Sequence, residues 1–272
     1  MKTFGLFLAW MTVLFTADPA FSQTANALTY LKSLPAIEPD RSQAGSYHMV
    51  TDYYDFDLSG DFRVKTRITG NLTCKNDSVQ WRNVYLSGSK SLDTEFPEGK
   101  RIGYMENFKY KQGAEIIPAD FFKENLPGAD PLVMNLMWDV LSFEVFAYEY
   151  WDSLKLNTGY KAVNVNREIG IAYGTFENRD TRITWLGITE INNEICAILK
   201  YSVMNNPFNL EYENSIMKGR SHYWGEVYVS LSGKQIEYVN LTEDVLMEIK
   251  GKDQPYSDRK YTVRYITMSK VD

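Results

Sequence analysis

The chain has 272 residues, a formal net charge of −6, and 44% hydrophobic, 24% charged and 14% aromatic residues. This is the make-up of a folded globular protein, not of a disordered or low-complexity chain. The acidic balance argues against nucleic acid, whose binders present a basic surface. Two His and two Cys are too few for a His/Cys metal centre, which takes three or four such ligands, so no metal and no cofactor is expected.

The N-terminus reads first. Lys2 precedes an apolar run from Phe4 to Ala17, followed by Asp18-Pro19 and Ala20-Phe21-Ser22. The run is shorter than the roughly 20 residues that span a bilayer, and small residues at Ala20 and Ser22 fit signal-peptidase cleavage. The pattern predicts a leader over 1–22, an exported protein, periplasmic or extracellular, and one β-rich domain over 23–272. After cleavage no membrane-spanning segment is expected. Export brings an oxidising compartment, in which Cys74 and Cys196 can form a disulfide. The alternative is two separately buried thiols, since Cys74 ends the alternating run Val64, Thr66, Ile68, Gly70, Leu72 on the expected core face.

Residues 24–33 read as a short helix ended by Pro35. Strand patterns follow at Ser46–Phe56, Phe62–Cys74, Val79–Ser87 and Arg101–Tyr110, each bounded by turn chemistry. The turn Asp55-x-Asp57-x-Ser59-Gly60-Asp61 has the opening of a calcium loop. Position 12 is Thr66 rather than Glu, so a plain acidic turn is expected. A short helical turn at 118–126 stops at Pro127-Gly128.

Asp130-Pro131 then opens a long helix, predicted over 131–154, with Asp as N-cap and Pro at the first helical position. Its polar strip is narrow: Asn135, Asp139, Ser142, Glu149 and Ser153. The remainder is apolar or aromatic, the pattern of a helix buried on most sides. Glu144 falls inside the apolar arc, where a carboxylate must be paired or neutral. A base such as Arg220 or His222 is the expected partner.

Strands resume at Lys161–Val165, Ile169–Phe176, Thr181–Ile191 and Glu194–Met204, the last two joined by Asn192-Asn193. Tyr223–Leu231 and Lys234–Leu241 form a hairpin about Ser232-Gly233. A two-residue loop would set Val229 against Ile236, Val227 against Tyr238 and Tyr228 against Glu237. A last strand covers 260–268. Within the hairpin, alternation puts Arg220, His222, Trp224, Glu226 and Tyr228 on one face. A cation, imidazole, indole, carboxylate and phenol in one row can grip a polar or amphipathic ligand. The same row also suits a solvated sheet face with cross-strand pairs. With Glu144, these residues are the candidate ligand site. No serine-hydrolase elbow, P-loop or zinc-protease motif is present, and no catalytic residue is assigned.

The exported N-terminus, the Gly225–Val239 hairpin with its Ser232-Gly233 turn and the buried helix between two strand blocks together resemble the half-barrel periplasmic lipoprotein carriers and their secreted relatives. The resemblance is architectural and covers residues 46–268. It implies an α+β fold in which a large curved antiparallel sheet packs around one long helix, with acyl chains held in the apolar concavity. No binding residue is carried over from it. The expected function is a non-enzymatic exported protein of the bacterial envelope that binds a lipid or other amphipathic ligand. A structural or protein-interaction module of the envelope and a carboxylate-dependent hydrolase, whose two acids leave no local spacing signature, remain alternatives.

Overall fold

The computed structural model describes residues 28–36, 44–111, 119–166, 168–171 and 173–271. The expected leader over 1–22 lies outside the described residues, as does residues 24–27 of the helix expected at 24–33. Among the described residues, thirteen antiparallel strands make one large sheet that does not close, and helices are few. The fold is mostly β.

The strands are β1 (Gly45–Phe56), β2 (Phe62–Lys75), β3 (Ser78–Ser89), β4 (Lys100–Arg101) and β5 (Lys109–Lys111) before the helices. Helix α1 (Ala119–Asn125) and helix α2 (Pro131–Glu144) come next. After them run β6 (Gly159–Lys161), β7 (Glu168–Ile171), β8 (Gly174–Glu177), β9 (Arg182–Ile191), β10 (Glu194–Tyr212), β11 (Ser215–Ser230), β12 (Ile236–Gly251) and β13 (Ser257–Val271). The main order is β4-β3-β2-β1-β13-β12-β11-β10-β8-β7. Strand β1 therefore pairs with the last strand, β13, and this non-local ladder joins the two strand blocks. The β2–β3 and β9–β10 connections are two-residue turns, Asn76-Asp77 and Asn192-Asn193, with all four residues at positive φ. Asn and Asp tolerate that conformation best among side-chain-bearing residues.

Several expected strands change. The expected Arg101–Tyr110 strand is two short strands separated by a 3₁₀ turn at Gly103–Met105, and Ile169–Phe176 divides into β7 and β8. Conversely, β10 runs on from Glu194 to Tyr212, past the expected end at Met204. Asn205, Asn206 and Pro207 look like a terminator. They are instead a β-bulge, with Asn205 at φ 61°. The Asn206 side chain donates to the Val203 carbonyl (3.0 Å) and accepts from the Arg179 amide (2.9 Å). At this bulge β10 changes neighbour, from β9 along Glu194–Ser202 to β8 along Phe208–Leu210.

The hairpin register is also corrected. Val229 faces Ile236 as expected, but Tyr228 faces Tyr238 and Val227 faces Val239. Glu237 is the extra residue of a bulge. Its carboxylate is buried, 2% exposed, and accepts from Lys270 Nζ at 2.6 Å. Farther along, β11 and β12 approach so closely that a Cβ at Gly225 would stand 2.0 Å from the Asn240 carbonyl and 2.8 Å from the Tyr201 hydroxyl. Only glycine fits there.

The start of α2 follows its sequence. Asp130 Oδ1 accepts from the Leu132 amide at 2.8 Å, and Pro131 occupies the first turn. The end does not. The α-helix stops at Glu144, passes into a π turn at Val145–Glu149, and a 3₁₀ turn follows at Trp151–Ser153. Packing decides this: the Phe146 ring stacks on Tyr201 with centroids 4.2 Å apart and planes 7° from parallel. The apolar side of α2 (Val133, Leu136, Met137, Val140, Phe143) shares one core with Met49, Ile68, Trp81, Leu199, Val227, Val239 and Met268 of the sheet. That face of the sheet is its inner face.

Candidate functional site

The inner face has two parts. Beneath the helix it is sealed. Met49, Leu199, Val227 and Val239 are fully buried. Beyond the cross-strand row Ser221–Val245–Thr262 the same strands continue. Here Leu210, Met217, Val245, Met247 and Ile249 carry the same inward alternation, but they are only half-buried. Phe208 and Phe176 face each other across β10 and β8 beside them.

Between the two parts lies a buried ion cluster. Arg264 of β13 donates from one terminal nitrogen to Glu243 Oε2 of β12 at 2.9 Å and from the other to Asp139 Oδ2 of α2. The side chains are 8% exposed for both Arg264 and Asp139, and 13% for Glu243. Ser221 of β11 donates its hydroxyl to Glu243 Oε1 at 2.7 Å, and the guanidinium lies 5.1 Å from the Tyr53 ring centroid. The helix is thus tied by one guanidinium to strands β12 and β13.

The electrostatics follow from burial and charge count. Two carboxylates share one cation. Burial pushes the Asp139 carboxyl up to about 6, against the pull of Arg264 and with the help of Glu243. Burial pulls the Arg264 guanidinium down, but Asp139, Tyr53 and Glu243 outweigh it and hold it more firmly charged than usual. Burial also pushes Tyr53 up to about 12, so this phenol stays neutral. Chemically the cluster is an ion pair with a second carboxylate on the same cation. Asp139 and Glu243 converge on Arg264, whereas acid–base hydrolysis would need two acids on either side of a substrate.

Asp139 stands in the narrow polar strip of the helix. It is buried there, because β13 brings Arg264 against that side of α2. Asp139, Glu243 and Arg264 are the group that the sequence reading missed. A signal was present: Glu243 sits between Leu241 and Val245 in an inward row, and Arg264 sits two residues before Ile266 in another.

The residues proposed from sequence are placed as follows. Arg220, His222, Trp224, Glu226 and Tyr228 do share one face of β11, the outer one, while Ser221, Tyr223 and Val227 point inward. Tyr228 donates to Glu226 Oε2 at 2.5 Å and stacks at a tilt against Tyr238, with centroids 5.6 Å apart. Burial, then the bond to Glu226, pushes the Tyr228 phenol up to about 12. His222 Nδ1 accepts from the Asn205 amide at 3.2 Å. Glu144, on the helix, is half-buried on the other side of the sheet. The structure therefore does not bring Glu144 together with Arg220 or His222. Cys74 and Cys196 form no disulfide with each other. They lie on β2 and β10, five strand spacings apart in the sheet order, or about 24 Å along the sheet. In the expected calcium-like turn, Asp57 Oδ1 accepts from the Ser59 and Asp61 amides at 2.9 and 3.0 Å, which is ordinary Asx-turn chemistry. No described helix is long and apolar enough to cross a membrane.

No family model and no curated protein sequence matches the chain. Among solved structures it is similar to one described as lipid–protein interactions in lipovitellin, at 11% identity and a TM-score of 0.41. The similarity covers 87% of this chain and 26% of that one, so this chain spans about a quarter of its length. A likeness at that level defines no family and assigns no ligand.

Proposed function

We propose that the protein is a non-enzymatic, exported binder of a lipid or other amphipathic molecule in the bacterial envelope, with its ligand held on the inner face of a curled, half-barrel-like sheet. One observation carries the reading. The apolar inner rows continue past the helix, and Leu210, Met217, Val245, Met247 and Ile249 are left half-covered there. Contiguous apolar surface of this kind is costly in water and marks ligand or partner sites.

The curl rests on distance. Tyr104 follows β4 and Tyr173 precedes β8, eight strand spacings apart in the sheet order, or about 38 Å if the sheet were flat. Yet the Tyr104 hydroxyl accepts from the Asp130 amide at the start of α2 at 3.2 Å, and the Tyr173 phenol, raised first by burial, also feels the charge of Asp130. Such an influence extends only about 10 Å in salt solution. A sheet bent round the helix reconciles the two distances.

Native mass spectrometry of protein exported and purified without detergent tests the reading. A bound species of lipid mass is expected. Met217→Asp combined with Met247→Asp, at positions that are already half-exposed, should abolish it while the fold survives. A wild-type protein that carries no lipid, and takes up no fluorescent fatty acid from phosphatidylglycerol vesicles, overturns it.

A further inference from the structure

We propose that the helix over 131–149 is held on the sheet by a proton-linked latch, in which one proton taken up at the Asp139–Arg264–Glu243 cluster tightens helix docking and its release loosens it. The geometry makes the cluster the natural place for such a device. Asp139 is the helix's contribution, and Arg264 and Glu243 are the sheet's. With one cation against two carboxylates, the buried group holds one negative charge in excess. A buried net charge is costly, and one proton removes it. The groups that face Asp139 cannot supply or absorb that charge. Tyr53 of β1, Tyr110 of β5, Tyr201 of β10 and Tyr223 of β11 all feel its carboxylate, and all are held neutral by burial. Asn135, one turn earlier on the helix, is uncharged. The Arg264 Nε is buried without a hydrogen-bond partner among the described residues, so the guanidinium is not saturated by its two acids.

The direction of the effect is fixed by linkage. With the helix docked, Asp139 titrates at about 6; with the helix undocked, it would titrate near the ordinary value of about 3.9. Between those two values the docked state binds the extra proton. Docking is therefore strengthened as pH falls through 6 and weakened as pH rises through it. The opposite rule, loss of a salt bridge in acid, applies to carboxylates whose values are lowered, and Asp139 is not one of them. From pH 5 to 7.5 the docking equilibrium should fall by about tenfold. The latch does not depend on what the inner face binds, so it stands or falls separately from the lipid reading.

Amide hydrogen exchange of the full chain tests it, with protection factors used so that the intrinsic pH dependence cancels. Amides of 133–146 should lose about tenfold in protection between pH 5 and 7.5 relative to β12 amides at 238–241. Asp139→Asn imitates the protonated form, leaves Arg264 matched to Glu243, and should keep the helix protected and nearly independent of pH. Equal protection at both pH values in the wild type, or an unchanged slope in Asp139→Asn, overturns the latch. Should the variant fail to fold, the side-chain carboxyl shift of Asp139 in the wild type decides by carbon NMR. A midpoint near 6 supports the latch and one at or below 4 overturns it.

Discussion

The two parts of the inner face are built from the same strands with the same alternation, yet one is sealed and the other is half-open. Contact with the helix makes the difference. The apolar side of α2 shares one core with Met49, Leu199, Val227 and Val239, whereas Leu210, Met217, Val245, Met247 and Ile249 lie outside that core and stay half-buried. Inner residues at the hairpin end meet the helix, and those at the other end do not. An apolar strand pattern thus states which face is inward without stating what covers it.

The sharpest test of this comparison is at the boundary, where the ion cluster joins helix to sheet. Arg264→Met removes the cation and leaves Asp139 and Glu243 facing each other without it. The expected loss is about 3–5 kcal/mol in urea unfolding at neutral pH. Part of it should return as pH falls, and from a higher pH than in the wild type, because Arg264 no longer pulls the Asp139 carboxyl down against burial and Glu243. A loss under about 1 kcal/mol would mean that the cluster does not hold the helix.

What could be read in advance follows the range of each cause. The start of α2 was legible because its determinants, Asp130 and Pro131, are local. Its end was not, because the π turn answers to Tyr201, which stacks on Phe146 from β10. The same holds for the carboxylates. Helical phase singled out Glu144, since a wheel compares a residue only with its own helix. Asp139 became the buried acid through Arg264, a residue 125 positions away. Strand β10 was cut short at Asn205-Asn206-Pro207 because a bulge and a terminator share one composition. The outer row Arg220 to Tyr228 was legible as a face, since period-2 alternation requires no knowledge of the partner strand.

Within the sealed part, Leu136 is 1% exposed and packed in the core. Leu136→Ala should cost about 2–5 kcal/mol, the transfer loss plus an unfilled cavity. A smaller effect comes from the helix start. Asp130→Ala removes the bond to the Leu132 amide and should cost about 1 kcal/mol, the usual worth of an N-cap. Thermal or urea unfolding measures both, and a reversed order would place the stabilising weight of α2 in its cap instead of its apolar side.

The smallest effect is expected in the open part, and it separates the two regions most directly. Met247 of β12 lies on the inner face opposite Gly219 and is half-buried. Met247→Ala gives up only part of the roughly 1.5–3 kcal/mol that full burial of such a side chain contributes. Little cavity forms, because water already reaches the site. The loss should therefore stay below about 1 kcal/mol, several times less than for Leu136→Ala, although both residues point to the same side of the sheet. If this face binds an amphipathic ligand, the same substitution should weaken uptake of a fluorescent fatty acid while unfolding barely changes, and Leu136→Ala should show the reverse. A Met247→Ala cost of 2 kcal/mol or more would mean that the far rows are as tightly packed as the near ones. The far rows would then be part of the sealed core, and the reading of an open inner face would fail with them.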